Sequence, residues 1–344
     1  MLKKIFPNTE FSRENFLLTC GPEFTKQAHR QIIKALNGPR LDEIIALEGE
    51  KLIERWKTYS GNGANLVNVS KEMQLFTCAV IMQAIFGNSD KHKELCEAVN
   101  YMNGYLYDQG VGKLVKGDTE KYNENCKIFC EIINDILEAE NVSSLPLFRK
   151  EFSLAQKQGL CLLMFFAGQE TTAFALAHCF AELSLNSSKQ EAIFQAVLEA
   201  KNRKVPVSEV LILKEFIDKQ LLKIPPVNGV SRNLKEDSYI SFKYENGKEV
   251  GKHMQKNERL LANFAETAKR VQENGSNPTY SDASVFGEGI NGCIGKKLAL
   301  KELYQLPAII LSQLELSTQE FEFKFKTKVS NQAEPFYIKV KSKA

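Results

Sequence analysis

Cys293 is the residue whose surroundings most clearly favour chemistry. It lies among four glycines in the stretch FGEGINGCIG, from Phe286 to Gly295, and a helical pattern follows from Lys296. Glycine lets the backbone approach a flat object closely, because it has no side chain and tolerates positive φ. A thiolate is a good ligand for a soft or borderline metal, and a helix N-terminus favours the ionised sulfur. An inert buried thiol is the alternative, since no second Cys or His lies close enough for a zinc site.

A second unusual stretch, AGQETT from Ala167 to Thr172, lies in the longest apolar segment, about residues 147–185. Gly costs about 1 kcal/mol relative to Ala inside a helix, and a Glu in an apolar segment is costly unless it is paired. Such penalties in the most apolar helix favour a functional site. Gly168 would thin the helix, the Thr171 hydroxyl can hold a water, and Glu170 can take and deliver protons. The structural alternative is a close helix crossing at Gly168 with back-bonded threonines.

The composition of the 344 residues is that of a soluble globular protein, with 43% hydrophobic and 25% charged residues. The net charge of +3 does not suggest a nucleic-acid partner. No apolar run reaches about 18 residues, so we expect no membrane span, and the first residues make a poor signal peptide. The eight cysteines are scattered rather than spaced as a disulfide framework, which favours reduced thiols and a cytoplasmic location.

The hydrophobic pattern predicts a mainly α protein with small β-sheets (α+β), organised as a single domain over residues 1–344. The helical part covers about residues 15–222, and a mixed sheet, the cysteine loop and C-terminal strands follow in about residues 223–344. The predicted helices include residues 65–86 and 147–185. A hairpin is predicted near 239–248, a polar irregular segment at 266–285, and strands at 321–325 and 336–340.

In order and spacing, these two stretches resemble segments of the cytochrome P450 family of heme-thiolate monooxygenases. The family's heme-ligand loop is similar to Phe286-x-x-Gly289-x-x-x-Cys293-x-Gly295, and its oxygen-activating helix to Ala167-Gly168-x-Glu170-Thr171-Thr172. The region after the family's helix K resembles Ile224-Pro225-Pro226-Val227 with Ser231-Arg232. The start of its helix C resembles Gly21-Pro22-Glu23 with His29-Arg30 and Lys34-Ala35-Leu36. The resemblance covers about residues 15–340 and implies the cytochrome P450 fold, truncated at the N-terminus.

The resemblance implies heme b as the cofactor, with Cys293 as the axial thiolate ligand of the iron. Phe286 would shield the sulfur, and loop amides would hydrogen-bond it and tune its potential. Glu170 and Thr171 would be the catalytic pair that relays protons during oxygen activation. Heme propionates would be bound by Arg232, with His29 or Arg30 as a second contact. The implied cofactor-binding set is Phe286, Gly287, Cys293, Gly295, Arg232, His29, Ala167 and Gly168, the last two over the distal face.

Several positions depart from the family's pattern. Its Glu-x-x-Arg pair in helix K would fall on Lys219 and Leu222, so the expected ion pair is missing. The basic residue usual two positions before the ligand cysteine is Asn291. The family's first helices and the two leading strands of its main sheet look absent. These departures concern the propionates and the scaffold, and they predict a heme that is loosely held or unusually open.

The implied function is O2-dependent, hydroxylation-type oxidation of a small or medium apolar organic substrate. Electrons would come from a separate ferredoxin or flavoprotein reductase. Lys296, Lys297 and Lys301 could receive an acidic partner, although a solvated helix face explains them more simply. Phe165 and Phe166 could line the pocket or pack in the core.

Two other functions stay open. One is a heme-thiolate isomerase, dehydratase or peroxygenase that needs no reductase, and the retained pair of Glu170 and Thr171 counts against it. The other is a non-catalytic heme- or partner-binding protein derived from the family, which the missing Glu-x-x-Arg pair would favour.

Overall fold

The computed structural model describes residues 30–61, 66–87, 90–110, 113, 117–138, 152–243, 248–274, 278–289, 292–319, 321–328 and 330–343. His29, Asn291 and the segment from Gly21 to Glu23 lie outside the described residues. Within the described ranges the chain is mostly helical with small antiparallel sheets, which confirms the predicted fold class.

The helices of the described chain are α1 (Leu41–Gly61), α2 (Val69–Phe86), α3 (His92–Gly110), α4 (Asp118–Glu138), α5 (Leu154–Ser184), α6 (Ser187–Asn202), α7 (Leu211–Lys223), α8 (Phe264–Asn274) and α9 (Lys296–Gln313). A 3-10 turn covers Val207–Glu209, and residues 30–36 are also helical. The predicted long apolar helix is α5. A capping box fixes its start, because the Gln156 amide donates to Ser153 Oγ at 3.2 Å and the Ser153 amide donates to Gln156 Oε1 at 2.9 Å.

The strands are β1 (Leu66–Asn68), β2 (Gly229–Asn233), β3 (Ser238–Lys243), β4 (Glu249–Met254), β5 (Arg259–Asn263), β6 (Leu314–Ser317), β7 (Phe325–Thr327), β8 (Asn331–Ala333) and β9 (Tyr337–Ser342). In the three-stranded sheet β9 lies between β1 and β6, and the remaining strands pair as β2–β5, β3–β4 and β7–β8. All of these pairs are antiparallel. The predicted hairpin near residues 239–248 is β3–β4, and the strand predicted at 336–340 is β9.

Two local predictions are wrong because contacts distant in sequence override the local pattern. The helix predicted from residue 65 begins only at Val69, since Leu66–Asn68 pairs with β9 at the other end of the chain. Residues 321–324 are irregular, although they alternate like a strand. That alternation reflects aromatic packing: the rings of Phe321 and Phe323 lie 5.4 and 5.6 Å from the ring of Phe336.

The segment predicted to be irregular over residues 266–285 contains most of α8, which is a further correction. The helix begins after Asn263, whose Oδ1 accepts a 3.0 Å hydrogen bond from the Glu266 amide. Phe264, Ala268 and Val271 recur at helical spacing and form its inward face. Because only one side of α8 is apolar, its polar residues dominated the sequence pattern.

Helix α5 packs along α2 in the core. A Cβ added to Gly168 would come 3.0 Å from Ile81 Cδ1 of α2, so the glycine allows a close helix crossing. At the same crossing the Thr77 hydroxyl donates to the Gln169 carbonyl at 2.9 Å. By length and composition alone α5 could span a membrane, but 72% of its most apolar window is buried inside the protein. That burial is what a long helix in a protein core requires.

The end of α7 carries the positions at which the resembled family has its Glu-x-x-Arg pair. Lys219 is exposed, whereas Leu222 is only 2% exposed. Leu222 packs with Ala268 of α8 and with Ala283 in a small apolar cluster. Its carbonyl accepts a 2.9 Å hydrogen bond from Gln272 Nε2 of α8. Apolar burial therefore joins α7 to α8 where an ion pair was expected.

We expect Leu222→Arg to lower the free energy of unfolding by about 3–5 kcal/mol, because it buries a charge without a partner. The matched variant Lys219→Glu changes an exposed residue of the same helix and should shift stability by about 0.5 kcal/mol or less. Urea unfolding followed by far-ultraviolet circular dichroism measures both. Equal stability of Leu222→Arg and the unmodified chain would show that the cluster does not replace the ion pair.

Candidate functional site

A cavity of about 680 Å³ lies between α5 and the loop that precedes α9. This volume falls within the range of about 300–1,000 Å³ that is usual for ligand and cofactor sites. Helix α5 contributes one part of the wall, and the loop with Cys293 contributes another. Strands β2 and β5 and the segment after α7 supply further lining residues. The cavity thus unites the two stretches that the sequence singles out.

The backbone of the loop brings Cys293 to the cavity. The Cys293 amide donates to the Phe286 carbonyl at 2.7 Å, which closes the loop over the residues between them. Gly287 and Gly289 have φ values of 64° and 66°, in the left-handed region where a side chain would be strained. Gly287 also lines the cavity. These glycines are therefore required by the turn itself.

The sulfur of Cys293 lies at the start of α9, whose N-cap residue is Gly295. Burial among protein atoms raises the pKa of the Cys293 thiol. Hydrogen bonds with the backbone amides of Gly295 and Lys296, and the charge of Lys296, act in the opposite direction. Although protein crowds its other sides, Cys293 is exposed toward the cavity. The thiolate has amide donors and a helix N-terminus, and a metal cation would complete its stabilisation.

The donor set fits heme iron. Among the described residues no group of three His, Cys, Asp or Glu side chains could hold a metal ion. A single thiolate can hold a metal that brings its other ligands with it, as heme iron does with its porphyrin nitrogens. The cavity beside the sulfur gives space for such a flat group. Cys293 would be the iron ligand, and the amides of Gly295 and Lys296 would tune the sulfur.

Phe286 is held by neighbours of which the sequence singled out only Lys296, and for another role. Its ring packs edge-on against the Tyr280 ring at 5.3 Å, and Lys296 Nζ lies 5.4 and 5.7 Å from the Tyr280 and Phe286 ring centroids. The Tyr280 amide hydrogen-bonds with the buried Asp218 carboxylate of α7, whose pKa is raised by burial. Asp218 thereby ties α7 to the aromatic ring beside Cys293.

On α5 the residues divide between the cavity and the core. Phe166, Ala167 and Thr171 line the cavity, and the Thr171 hydroxyl donates to the Ala167 carbonyl at 2.8 Å. Phe165 is fully buried, with its ring 6.4 Å from each of two core phenylalanines. Gly168, predicted over the distal face, is absent from the described cavity wall and lies against α2 instead. The structure therefore shows a helix-packing role for Gly168, and its place over the distal face of a heme stays a prediction.

Glu170 reaches the cavity only indirectly. It is 5% exposed and accepts a hydrogen bond from the hydroxyl of Ser330, which does line the cavity. Burial raises the pKa of Glu170 to about 7, although the Ser330 hydrogen bond and the charge of Lys328 lower it in part. A carboxyl of that pKa can both give and take protons near neutral pH. Ser330 lies 160 positions from Glu170, so sequence reasoning had no signal for it.

Arg232 lines the cavity from β2. Its Nη1 donates to the carbonyl of Ser231 at 3.0 Å. Within the described part of the chain no ion pair engages this guanidinium, so its charge is available to an anionic group such as a heme propionate. The second predicted propionate contact, His29, lies outside the described residues and stays a prediction.

The three lysines near the cysteine do not form one free basic face. Lys296 lies over two aromatic rings, and Lys301 forms an ion pair with Asp42 of α1. Lys297 is exposed at the start of α9. Of the three, Lys297 is therefore the residue best placed to meet an acidic partner.

Comparison with known proteins settles the family. The family model described as Cytochrome P450 matches residues 3–140 and 108–244. The chain belongs to the cytochrome P450 family. The matched residues include α5 but end before the loop with Cys293, so the loop supports the same conclusion independently. Members of this family bind heme b through an axial cysteine thiolate, the ligand for which Cys293 has the required surroundings.

Similar sequences come from animals and plants. Cytochrome P450 4d8 of Drosophila melanogaster is 28% identical over 204 residues, which are 53% of this chain and 42% of that protein. Cytokinin hydroxylase of Arabidopsis thaliana is 27% identical over 266 residues, 66% of this chain and 51% of that protein. Cytochrome P450 714B2 of Oryza sativa subsp. japonica is 22% identical over 312 residues, 80% of this chain and 57% of that protein. The chain thus spans about half the length of these relatives.

A crystal structure of a cytochrome P450 (CYP102L1) superposes with a TM-score of 0.77. The match covers 100% of this chain and 84% of that chain at 17% sequence identity. Similarity at this level of identity concerns the fold, and it confirms the predicted cytochrome P450 fold.

The raised pKa of Glu170 predicts a pH-dependent difference in stability between the unmodified chain and Glu170→Gln. Its pKa rises from 4.5 to about 7 on folding, so the folded state holds the proton more tightly. The resulting stabilisation is complete below pH 4.5 and is lost as the pH rises through about 7, a change of about 3 kcal/mol. Glu170→Gln cannot titrate at this position, so its unfolding free energy should decline less over that window. Urea unfolding measures the free energy of unfolding of both proteins at each pH. If the two free energies change with pH in parallel, the raised pKa of Glu170 is contradicted.

Proposed function

We propose that this protein is a heme-thiolate monooxygenase that carries out hydroxylation-type, O2-dependent oxidation of an apolar organic compound. The observation that carries the proposal is that Cys293 and Thr171 line the same cavity. When bound there, heme supplies the oxygen activation and the oxidising chemistry. Hydroxylation is also the reaction in the name of the Arabidopsis relative, cytokinin hydroxylase.

The residues of α5 would supply protons on the substrate side. The Thr171 hydroxyl, which now donates to the Ala167 carbonyl, can rotate to hold a water in the cavity. Glu170 has a pKa of about 7 and can serve as a proton reservoir at neutral pH. The two residues therefore have distinct tasks: Thr171 positions the water, and Glu170 stores the proton.

The lining of the cavity favours a small or medium apolar substrate. Phe166, Ala175, Leu221, Val227 and Leu303 supply apolar surface. Such surfaces bind by excluding water from the ligand, and the charged Arg232 is accounted for by the predicted contact with a heme propionate.

Electrons would come from a separate ferredoxin or flavoprotein reductase. The exposed Lys297 at the start of α9 is a candidate contact for an acidic donor. A cytoplasmic location is supported by the cysteines of the described chain, which are all unbridged. The small net charge of +3 agrees with a protein that has no nucleic-acid partner.

Replacing Thr171 by Ala tests the proposed function. A monooxygenase should keep consuming reductant and O2 but form about tenfold less product per electron pair, with peroxide released instead. The reason is that positioned proton donors contribute about 10²–10⁴ to such steps, part of which free water can replace. The substrate would come from a panel of apolar compounds, chosen by displacement of the iron-bound water.

The matched control is Thr267→Ala, because the Thr267 hydroxyl makes the same kind of bond, to the Asn263 carbonyl at 2.8 Å, on an exposed helix. An isomerase or peroxygenase would show product without reductant. A non-catalytic binding protein would show no product, and Thr171→Ala would not alter its ligand affinity. Either result would overturn the monooxygenase proposal.

A further inference from the structure

Ser330 stands between a buried carboxyl and the cavity. It lies in the turn between β7 and β8, where the Lys328 amide donates to the Ser330 carbonyl at 2.9 Å. The residue is 5% exposed, its hydroxyl donates to Glu170 Oε2, and it contributes to the cavity wall. A hydroxyl can accept one proton while it donates another. Ser330 therefore has both contacts that a relay requires.

Asn331 fixes the turn that carries Ser330. It is fully buried, and its Nδ2 donates to the Pro225 carbonyl at 2.7 Å and to Asn228 Oδ1 at 2.9 Å. The backbone amide of Asn331 donates to the Pro226 carbonyl at 2.8 Å. Pro226 itself lines the cavity, so the turn and this part of the wall form one hydrogen-bonded unit. The position of Ser330 is thus set by a buried network rather than by a free loop.

Among the described residues Ser330 is the one hydrogen-bond partner of the Glu170 carboxylate. Its Oε1 is buried and has no hydrogen-bond partner there. The neighbouring Thr171 hydroxyl donates to the Ala167 carbonyl and makes no hydrogen bond with Glu170 in the described structure. Lys328 acts on Glu170 by its charge, and on the α2 side the Thr77 hydroxyl has only backbone carbonyls as acceptors, those of Met73, Gln74 and Gln169.

We propose that Ser330 is the hydroxyl through which Glu170 exchanges protons with water in the cavity. The proton exchange itself does not depend on the proposed function, but its role in catalysis rests on the proposed oxygen chemistry. When Glu170 is protonated, the Ser330 hydroxyl turns toward the cavity and accepts from the carboxylic acid; the acid then gives its proton to Ser330 Oγ while the Ser330 hydroxyl proton passes to a cavity water. The hydroxyl is regenerated, the carboxylate remains, and the reverse transfer from hydronium restores the acid.

The test follows the carboxyl proton of Glu170 directly in the full heme-loaded chain, without turnover. Rapid mixing with D2O below pH 7, where Glu170 is protonated, shifts its carboxyl infrared band, which Glu170→Gln identifies by its loss. Ser330→Ala should slow this exchange by about tenfold or more, in keeping with the size of proton-transfer effects. Ser330→Thr keeps a hydroxyl and should restore the rate.

The matched control is Ser184→Ala, a buried serine of α5 whose hydroxyl donates to the Ala181 carbonyl at 2.9 Å. It should exchange like the unmodified chain. A loosened fold would accelerate exchange, so only slowing by Ser330→Ala with recovery by Ser330→Thr supports the relay. An unchanged or faster rate in Ser330→Ala would overturn it. Failure of the monooxygenase proposal would appear separately, in the product yield of Thr171→Ala.

Discussion

Desolvation of the Cys293 sulfur is the constraint on which the site depends. Burial raises the pKa of the thiol, and hydrogen bonds with the amides of Gly295 and Lys296 offset only part of that cost. A bound metal cation would supply the remaining stabilisation, because a thiolate in a low-polarity environment needs compensating charge. Gly287 and Gly289, which have left-handed backbone conformations, shape the loop, and the start of α9 presents its amides to the sulfur. Asp218 hydrogen-bonds with the backbone amide of Tyr280, whose ring packs against the ring of Phe286.

Helix α5 meets a second requirement, because it must be a core helix and also present reactive groups to the cavity. At its crossing with α2 the absence of a side chain on Gly168 leaves room for Ile81, which an added Cβ would approach to 3.0 Å. That crossing leaves Ala167 and Thr171 on the cavity side and leaves Glu170 buried against the β7–β8 turn. A buried carboxyl destabilises the fold at neutral pH, so its retention in the core helix is more readily explained by chemistry than by stability.

The sequence predicted those parts of the site that consist of short, continuous motifs. The glycines around Cys293 and the Gly, Glu and Thr in an apolar helix are local anomalies, and both stretches lie at one cavity. Ser330, Asn331 and Asp218 carried no such signal, because their partners are distant: the Ser330–Glu170 and Asn331–Pro225 bonds span 160 and 106 positions. The same reason explains the missed β1, which exists only through its pairing with β9. In the sequence, Leu222 indicated only that an ion pair was lost. The apolar cluster that takes its place is visible only in the three-dimensional packing.

The central claim is that Cys293 is the iron ligand, and the absorption spectrum of the reduced, CO-bound protein tests it most directly. Cys130, on α4, provides the matched control for serine substitution. The heme-loaded chain and Cys130→Ser should both show the red-shifted Soret band of a thiolate-ligated ferrous–CO heme, and Cys293→Ser should lose it. Absence of that band from the unmodified chain, or its persistence in Cys293→Ser, would contradict the assignment.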